Sequence, residues 1–185
     1  MAGFQASKKQ GGSGTDGNIQ TFNVNASHAT LLAPGDALVV TGTGTTEGRS
    51  NVDTGNAITA NTGVLVSVDV QIEGENLTET GLPAGKGGLI KIAMDPLQLY
   101  EMEADATLGP TQIDLNIGIN ATAATKVGGL SISNMTLDVA TAAVTQTLPY
   151  RIVSLLPGIT TGIVGDRALV RPNATTQSDG AVGIT

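Results

Sequence analysis

Apolar and polar residues alternate between residues 64 and 73. The two predicted faces carry Val64, Val66, Val68, Val70 and Ile72 on one side and Leu65, Ser67, Asp69, Gln71 and Glu73 on the other. Successive side chains of a β-strand point to opposite sides of its sheet, so this pattern indicates a strand with one buried and one solvated face. Such half-solvated strands are typical of antiparallel sheets, because parallel sheets are covered on both faces.

Short apolar runs bounded by glycine, proline or asparagine recur along the chain. We expect strands over residues 36–41, 89–94, 97–102, 113–119, 135–139, 150–156 and 167–170. Asp95-Pro96 bends the chain between two of these runs, so the run at 97–102 is expected to pair back on 89–94 as a hairpin. No window has helical periodicity over a helix length without a glycine or proline, and residues 121–129 could form one helical turn at most.

The predicted fold class is all-β, as a single antiparallel β-barrel or β-sandwich domain over residues 29–173. An extended N-terminal arm or linker precedes it over 1–28, and a loose, flexible tail follows over 174–185. Gly11-Gly12-Ser13-Gly14 has the composition of a linker. The start lacks the apolar segment of a secretory signal, and no stretch approaches the roughly 18 apolar residues of a membrane span. We therefore expect a soluble protein, made in a cytoplasm, with no membrane partner.

Composition narrows the possible functions. Cysteine is absent, which excludes disulfides, thiolate metal ligands and cysteine nucleophiles. The net charge is −7 and aromatic residues make up 2% of the chain. An acidic surface repels phosphates and base stacking needs aromatic rings, so nucleic acid is not an expected partner.

Few groups suit catalysis or ligand binding. His28 is the single histidine, and we expect it at the surface or at an interface. A phosphate-binding loop has four residues between its glycines and a hydroxyl residue after its lysine. Residues 81–88 have three residues between the first two glycines and no hydroxyl residue after the lysine, so we expect a flexible hairpin linker. Glu101, Glu103 and Asp105 lie close together, but no segment has the spacing of a calcium loop. We expect no catalytic residue, no cofactor and no metal site.

Three passages within residues 31–173 carry a resemblance to a known family. They are Ala33-Pro34-Gly35-Asp36-Ala37-Leu38-Val39-Val40, then Glu103-Ala104-Asp105-Ala106-Thr107-Leu108 with the strand over 113–119, and Leu148-Pro149-Tyr150-Arg151-Ile152-Val153-Ser154-Leu155 with Gly165-Asp166-Arg167-Ala168-Leu169-Val170-Arg171-Pro172-Asn173. This part of the chain resembles the decoration (cement) proteins of tailed bacteriophages, especially those of marine phages. The resemblance implies a β-barrel or sandwich on the outside of an icosahedral head, as a trimer that clamps neighbouring capsomers. It implies no catalytic residue.

The functional prediction is a non-enzymatic virion structural protein that decorates and cements the outer surface of a phage capsid. Its expected partners are the major capsid protein, whose subunits it would bridge, and further copies of itself in a homotrimer. Phe4, Lys8 and Lys9 are the predicted capsid contacts, because they give the arm an aromatic anchor and basic charge on an acidic chain. A head-fibre or adhesin-type binding module and a tail tube subunit stay open as alternatives.

Overall fold

The regular secondary structure of the described residues is almost entirely β-strand. The computed structural model describes residues 3–9, 18–45, 48–55, 57–71 and 80–175, with the backbone alone at 6–9, 42–44 and 70–71. These residues form thirteen β-strands and one 3₁₀ helix, Pro110–Gln112, so the all-β prediction is confirmed. Within the same ranges, no helix is long and apolar enough to cross a membrane.

Five strands close into a barrel. In order around it they are β2 (Ile19–Val24), β4 (Ser50–Thr54), β3 (Ala37–Gly44), β5 (Gly63–Gln71) and β6 (Gly88–Ala93), which pairs with β2 again. Four pairings are antiparallel, but β2 and β4 run parallel, so the prediction of a wholly antiparallel sheet was wrong at this seam. Closure leaves the barrel without a free edge.

A six-stranded antiparallel sheet lies beside the barrel. Its order is β1 (Gln5–Lys9), β7 (Gln98–Glu103), β13 (Val164–Pro172), β12 (Tyr150–Pro157), β8 (Asn116–Asn120) and β11 (Thr136–Ala143). The sheet curls until the chain after β7 meets β11. There Ala104 forms a parallel bridge with Leu137, and the Asp105 amide donates to the Leu137 carbonyl over 3.0 Å.

A separate two-stranded hairpin consists of β9 (Thr125–Val127) and β10 (Leu130–Ile132). The single helical turn allowed for this region does not form. Gly128 and Gly129 join the two strands with φ angles of 58° and 85°. A tight hairpin turn requires positive φ at both central residues, which glycine adopts without steric cost.

Two apolar cores fill the barrel and the curled sheet, and β3 and β5 contribute to both. Leu38 and Leu65 point into the barrel, whereas their neighbours Ala37 and Val64 belong to the core of the sheet. Adjacent residues of a strand face opposite sides, so one strand can serve two cores. The barrel core contains Phe22, Val24, Leu32, Leu38, Val52, Leu65, Leu82, Ile90, Ile92 and Met94. The sheet core contains Phe4, Ala37, Val64, Tyr100, Met102, Leu108, Ile117, Ile119, Met135, Leu137, Tyr150, Ile152, Ala168 and Val170.

The predicted faces of β5 do not hold along its length. Leu65, expected on the solvated face, is 1% exposed, and Val66, expected on the buried face, is 43% exposed. The pairing of β5 with β6 is irregular between Leu65 and Ser67 and again between Val68 and Val70. Each such bulge interrupts the regular alternation of faces. Residues 72–79, which complete the predicted strand, lie outside the described residues.

Two other local predictions need correction. β6 and β7 do not pair as a hairpin, because the chain crosses from the barrel to the sheet at Asp95-Pro96, where Asp95 Oδ1 accepts the Leu97 amide over 2.8 Å. The strand predicted over 113–119 begins only at Asn116. The 3₁₀ helix and the positive φ of Asp114, 67°, prevent an extended ladder before that residue.

The N-terminal segment is part of the folded structure where it is described. Residues 5–9 form β1 and residues 19–24 form β2, so the predicted arm over 1–28 is incorrect for these parts. Phe4 packs against Tyr100, with ring centroids 5.6 Å apart and an interplanar angle of 83°, and against Tyr150 at 4.5 Å. Residues 10–17, which include the predicted glycine linker, lie outside the described part.

The start of the predicted C-terminal tail is also ordered against the fold. Ala174 is 5% exposed, and Thr175 forms a parallel bridge with Asn61. Asn173 fixes the chain just before them, since its side-chain amide donates to the carbonyls of Gln146 and Leu148. The remainder of the tail, 176–185, is not among the described residues.

Replacing Phe4 tests whether the N-terminal segment stabilises the sheet core. We expect Phe4→Ala to lower the free energy of unfolding by about 3 kcal/mol or more, because the substitution empties a ring-sized space in a buried core. Leu97→Ala is the control, since Leu97 is 50% exposed and should change stability by roughly 0.5 kcal/mol or less. Urea denaturation measures both, and equal small effects would show that Phe4 is not part of the core.

Candidate functional site

The predicted contact residues Phe4, Lys8 and Lys9 do not form one exposed site. Phe4 is 5% exposed inside the sheet core, so the prediction that it is a surface anchor was wrong. An aromatic ring gains more from burial beside two tyrosines than from exposure to water. Lys8 and Lys9 end β1, where Lys9 is paired with Gln98, and their side chains lie outside the described residues.

β1 is nevertheless at the border of the sheet. It pairs with β7 on one side, and in the described part of the chain it has no ladder on the other side. An edge strand of this kind can pair with an extended segment of another chain. The position that the sequence predicted for partner contact is therefore an edge, although its anchor residue is internal.

The hairpin tip between β12 and β13 exposes three large apolar side chains. Ile159, Ile163 and Val164 are 58%, 53% and 62% exposed. The Gly158 amide donates to the Ile163 carbonyl over 2.9 Å, and the Gly162 amide donates to the Gly158 carbonyl over 3.0 Å. Because the backbone of the tip is bonded internally, its apolar side chains are held on the outside. We call residues 158–164 the isoleucine tip.

An Asp166 clamp fixes the isoleucine tip to the chain after β7. Thr107 Oγ1 donates to Asp166 Oδ1 over 2.6 Å, and Thr161 Oγ1 donates to Asp166 Oδ2 over 2.5 Å. Both hydrogen bonds lower the pKa of Asp166, and the bond from Thr107 has the larger effect. The carboxylate therefore stays charged and holds two segments that are distant in sequence.

A polar cleft of about 350 Å³ opens beside the clamp. Its lining includes Glu103, Asp105, Ile159 and Asp166. Asp105 is used internally, since Oδ2 accepts from Asn120 Nδ2 and Oδ1 accepts from the Val139 amide, both over 3.0 Å. Across the described ranges, no group of three or more His, Cys, Asp or Glu residues could hold a metal ion. The cleft therefore presents negative charge next to an apolar side chain.

The β9–β10 hairpin is a second exposed apolar element. Val127 and Leu130, on either side of its glycine turn, are 61% and 46% exposed. A groove of about 260 Å³ runs beside it and is lined by Phe4, Pro34, Leu130 and Ser133 among others. Two hairpins thus carry apolar side chains into solvent on a rigid support.

His28 and the loop over 81–88 have structural roles. His28 is 4% exposed, so its predicted position at the surface or at an interface was wrong, and its Nδ1 lies 3.0 Å from the Asn25 carbonyl oxygen. The His28 carbonyl accepts the Gly85 amide over 2.9 Å, and Leu82 bridges to Leu32 inside the barrel core. The predicted flexible linker is therefore bound to the barrel, and the strand β6 follows it, not a helix that could hold a phosphate.

The carboxylates after residue 100 are distributed among different partners. Glu101 forms an ion pair with Arg167 across the β7–β13 ladder, whereas Asp105 binds Asn120 and the backbone of β11. The three carboxylates of the predicted cluster are thus not directed at one shared ligand. Comparison of the chain with protein-family models, with curated proteins and with solved structures finds no match to any of them.

The isoleucine tip was not among the sites predicted from the sequence. The signal was present, because Ile159 and Ile163 flank Thr160-Thr161-Gly162 between two predicted strands. Large apolar residues grouped in an exposed turn indicate a surface for contact. The buried carboxylate of Asp36 was also missed, because Pro34-Gly35-Asp36 has the composition of an ordinary exposed turn.

Removing the clamp should loosen the isoleucine tip. We expect Asp166→Ala to increase hydrogen exchange at the Gly158 and Gly162 amides several-fold, since Thr107 and Thr161 lose their shared acceptor. Because the folded protein lowers the pKa of Asp166, the clamp acts above the ordinary value of 3.8 and is lost as pH falls through the lowered pKa. Asp53→Ala, in β4, is the control. Unchanged exchange in the Asp166 variant would contradict the clamp.

Proposed function

We propose that this chain is a non-enzymatic virion structural protein that decorates the outer surface of a bacteriophage capsid and bridges major capsid protein subunits. The observation that carries the proposal is the isoleucine tip, where Ile159, Ile163 and Val164 are exposed on a hairpin that the Asp166 clamp holds in place. Exposed apolar groups clustered on a rigid support mark a surface for another protein. The resemblance of residues 31–173 to decoration proteins supports a capsid subunit as the partner that binds this surface.

The architecture suits repeated weak contacts. The isoleucine tip and the Val127–Leu130 hairpin are two separate exposed apolar elements, and a chain that used each for a different neighbour would bridge the two. On a lattice that presents many identical sites, small contacts sum through avidity. The net charge of −7 would keep decorated particles soluble and apart.

The cleft beside the isoleucine tip suggests the chemistry of the partner surface. Asp105 and Asp166 place negative charge beside Ile159. A partner with lysine or arginine next to apolar residues would complement both features. Binding to such a surface weakens with rising ionic strength, because salt screens the charged part of the contact.

Capsids stripped of this chain and then incubated with the purified protein test the proposal. Wild-type protein should restore saturating occupancy, measured by quantitative gel analysis of sedimented particles. The double variant Ile159→Ser, Ile163→Ser should bind roughly tenfold more weakly or worse, as expected for central apolar contacts. Its stability should change little, because both side chains are more than half exposed.

A matched surface variant separates contact from fold. Ile58→Ser removes an isoleucine that is 56% exposed elsewhere on the molecule, and it should bind like the wild type. Failure of the wild type to bind capsids would refute the decoration role. If the wild type binds but Ile58→Ser loses binding as much as the double variant does, the isoleucine tip is refuted as the contact.

The predicted contribution of Lys8 and Lys9 stays a prediction, and its test must leave the fold intact. Deleting residues 1–20 would also remove Ile19 and Gln20 from β2 and so damage the barrel. Lys8→Glu combined with Lys9→Glu preserves the chain length of β1. Reduced capsid occupancy by a folded double variant is expected, and full occupancy would exclude the lysines as contacts.

A further inference from the structure

The N-terminal strand is fastened to the molecule beside a buried carboxylate. The Gly3 amide donates to the Met135 carbonyl and the Phe4 amide donates to the Gly35 carbonyl, both over 2.8 Å. Asp36, the residue after Gly35, is 1% exposed. The carboxylate thus lies in the turn whose Gly35 carbonyl accepts the Phe4 amide.

The surroundings of Asp36 are poor for a charged group. Oδ2 accepts the Ala33 amide over 2.7 Å, whereas Oδ1 has no hydrogen-bond partner in the described part of the chain. Burial raises the pKa of Asp36 from 3.8 to about 6, and the nearby Ser133 hydroxyl and Ala33 amide lower it only in part. An ionised carboxylate with an unsatisfied oxygen is stabilised when water can reach it.

The N-terminal segment packs against Ser133, the residue whose hydroxyl lies beside Asp36. Gly3 lies so close to Ser133 that an added Cβ would be 2.5 Å from Ser133 Cβ, and its φ is +89°. The groove lined by Phe4, Pro34 and Ser133 already brings solvent to the border of this contact. Detachment of residues 3–4 would therefore open the Ser133 side of Asp36, and it would remove Phe4 from the sheet core while the barrel core stays intact.

We propose that Asp36 is a pH-sensitive latch for the N-terminal strand: with its carboxyl protonated, residues 3–9 are held in place, and with it ionised they detach more readily. Detachment exposes the edge of β7 and the space that Phe4 fills between Tyr100 and Tyr150. An extended segment of another chain could then occupy both. This inference does not depend on the proposed capsid role.

Other charged groups on the neighbouring elements lie further along their strands. β1 carries Lys8 and Lys9 at its far end, and β5 carries Asp69, which pairs with Lys91 over 3.1 Å. β11 carries Asp138, whose Oδ1 accepts the Ala140 amide. Burial and the contacts with Ser133 and Ala33 account for the shift at Asp36.

The pH range follows from the direction of the shift. The closed state binds the Asp36 proton more tightly than an open state in which the carboxyl is solvated. Raising the pH from 3.8 to about 6 therefore favours opening by up to about 100-fold, and the effect levels off above that range. Below the ordinary carboxyl value the latch is at its tightest.

Hydrogen exchange of wild-type protein and Asp36→Asn, compared by NMR at each pH, tests the latch. The intrinsic pH dependence of exchange cancels in the ratio of the two proteins. At pH 3, below the ordinary carboxyl pKa of 3.8, the Gly3 and Phe4 amides should exchange equally in both. At pH 7 they should exchange up to about 100-fold faster in the wild type, while the Ile152 amide of the sheet core, bonded to Leu115 over 2.9 Å, should not differ.

Two further variants keep the test decisive if Asp36→Asn folds poorly. Ser133→Ala removes a group that lowers the pKa, so opening at pH 8 should exceed that of the wild type. Gly3→Ala should detach the segment at every pH, because its Cβ would collide with Ser133. A wild-type opening that is independent of pH, or an equal change at Ile152, would overturn the latch.

Discussion

Adjacent residues of β3 and β5 are buried in different cores, and the rest of the structure depends on this division. Leu38 and Leu65 fill the barrel, while Ala37 and Val64 pack into the curled sheet. A shift of either strand by one residue would exchange both sets of side chains, so the register is fixed from two sides. The barrel and the sheet therefore support each other, and Phe4, near the N-terminus, completes the core of the sheet.

This support leaves the contact groups at the ends of hairpins. The isoleucine tip and the Val127–Leu130 hairpin present apolar side chains to solvent, and Asp166 holds the isoleucine tip through Thr107 and Thr161. The Asp166 carboxylate thus positions an exposed apolar surface. The N-terminal strand differs, because one buried carboxylate, Asp36, opposes its attachment as the pH rises.

The sequence predicted the fold class and most strands because short apolar runs were separated by glycine and proline. It could not predict that β6 and β7 part at Asp95-Pro96, since a bend looks the same whether the next strand pairs back or joins another sheet. The bulges after Leu65 are invisible to a period-two pattern. Phe4 was expected at the surface because its neighbours are polar, and only the tertiary contacts with two tyrosines reveal its burial.

The proposed role is tested most directly by cryo-electron microscopy of a native particle that contains this chain. The account predicts density for the chain on the outer shell at junctions between capsomers, with Ile159 and Ile163 against the major capsid protein. Density in the tail, on a sparse projecting fibre, or on the shell with the isoleucine tip in open solvent would contradict it.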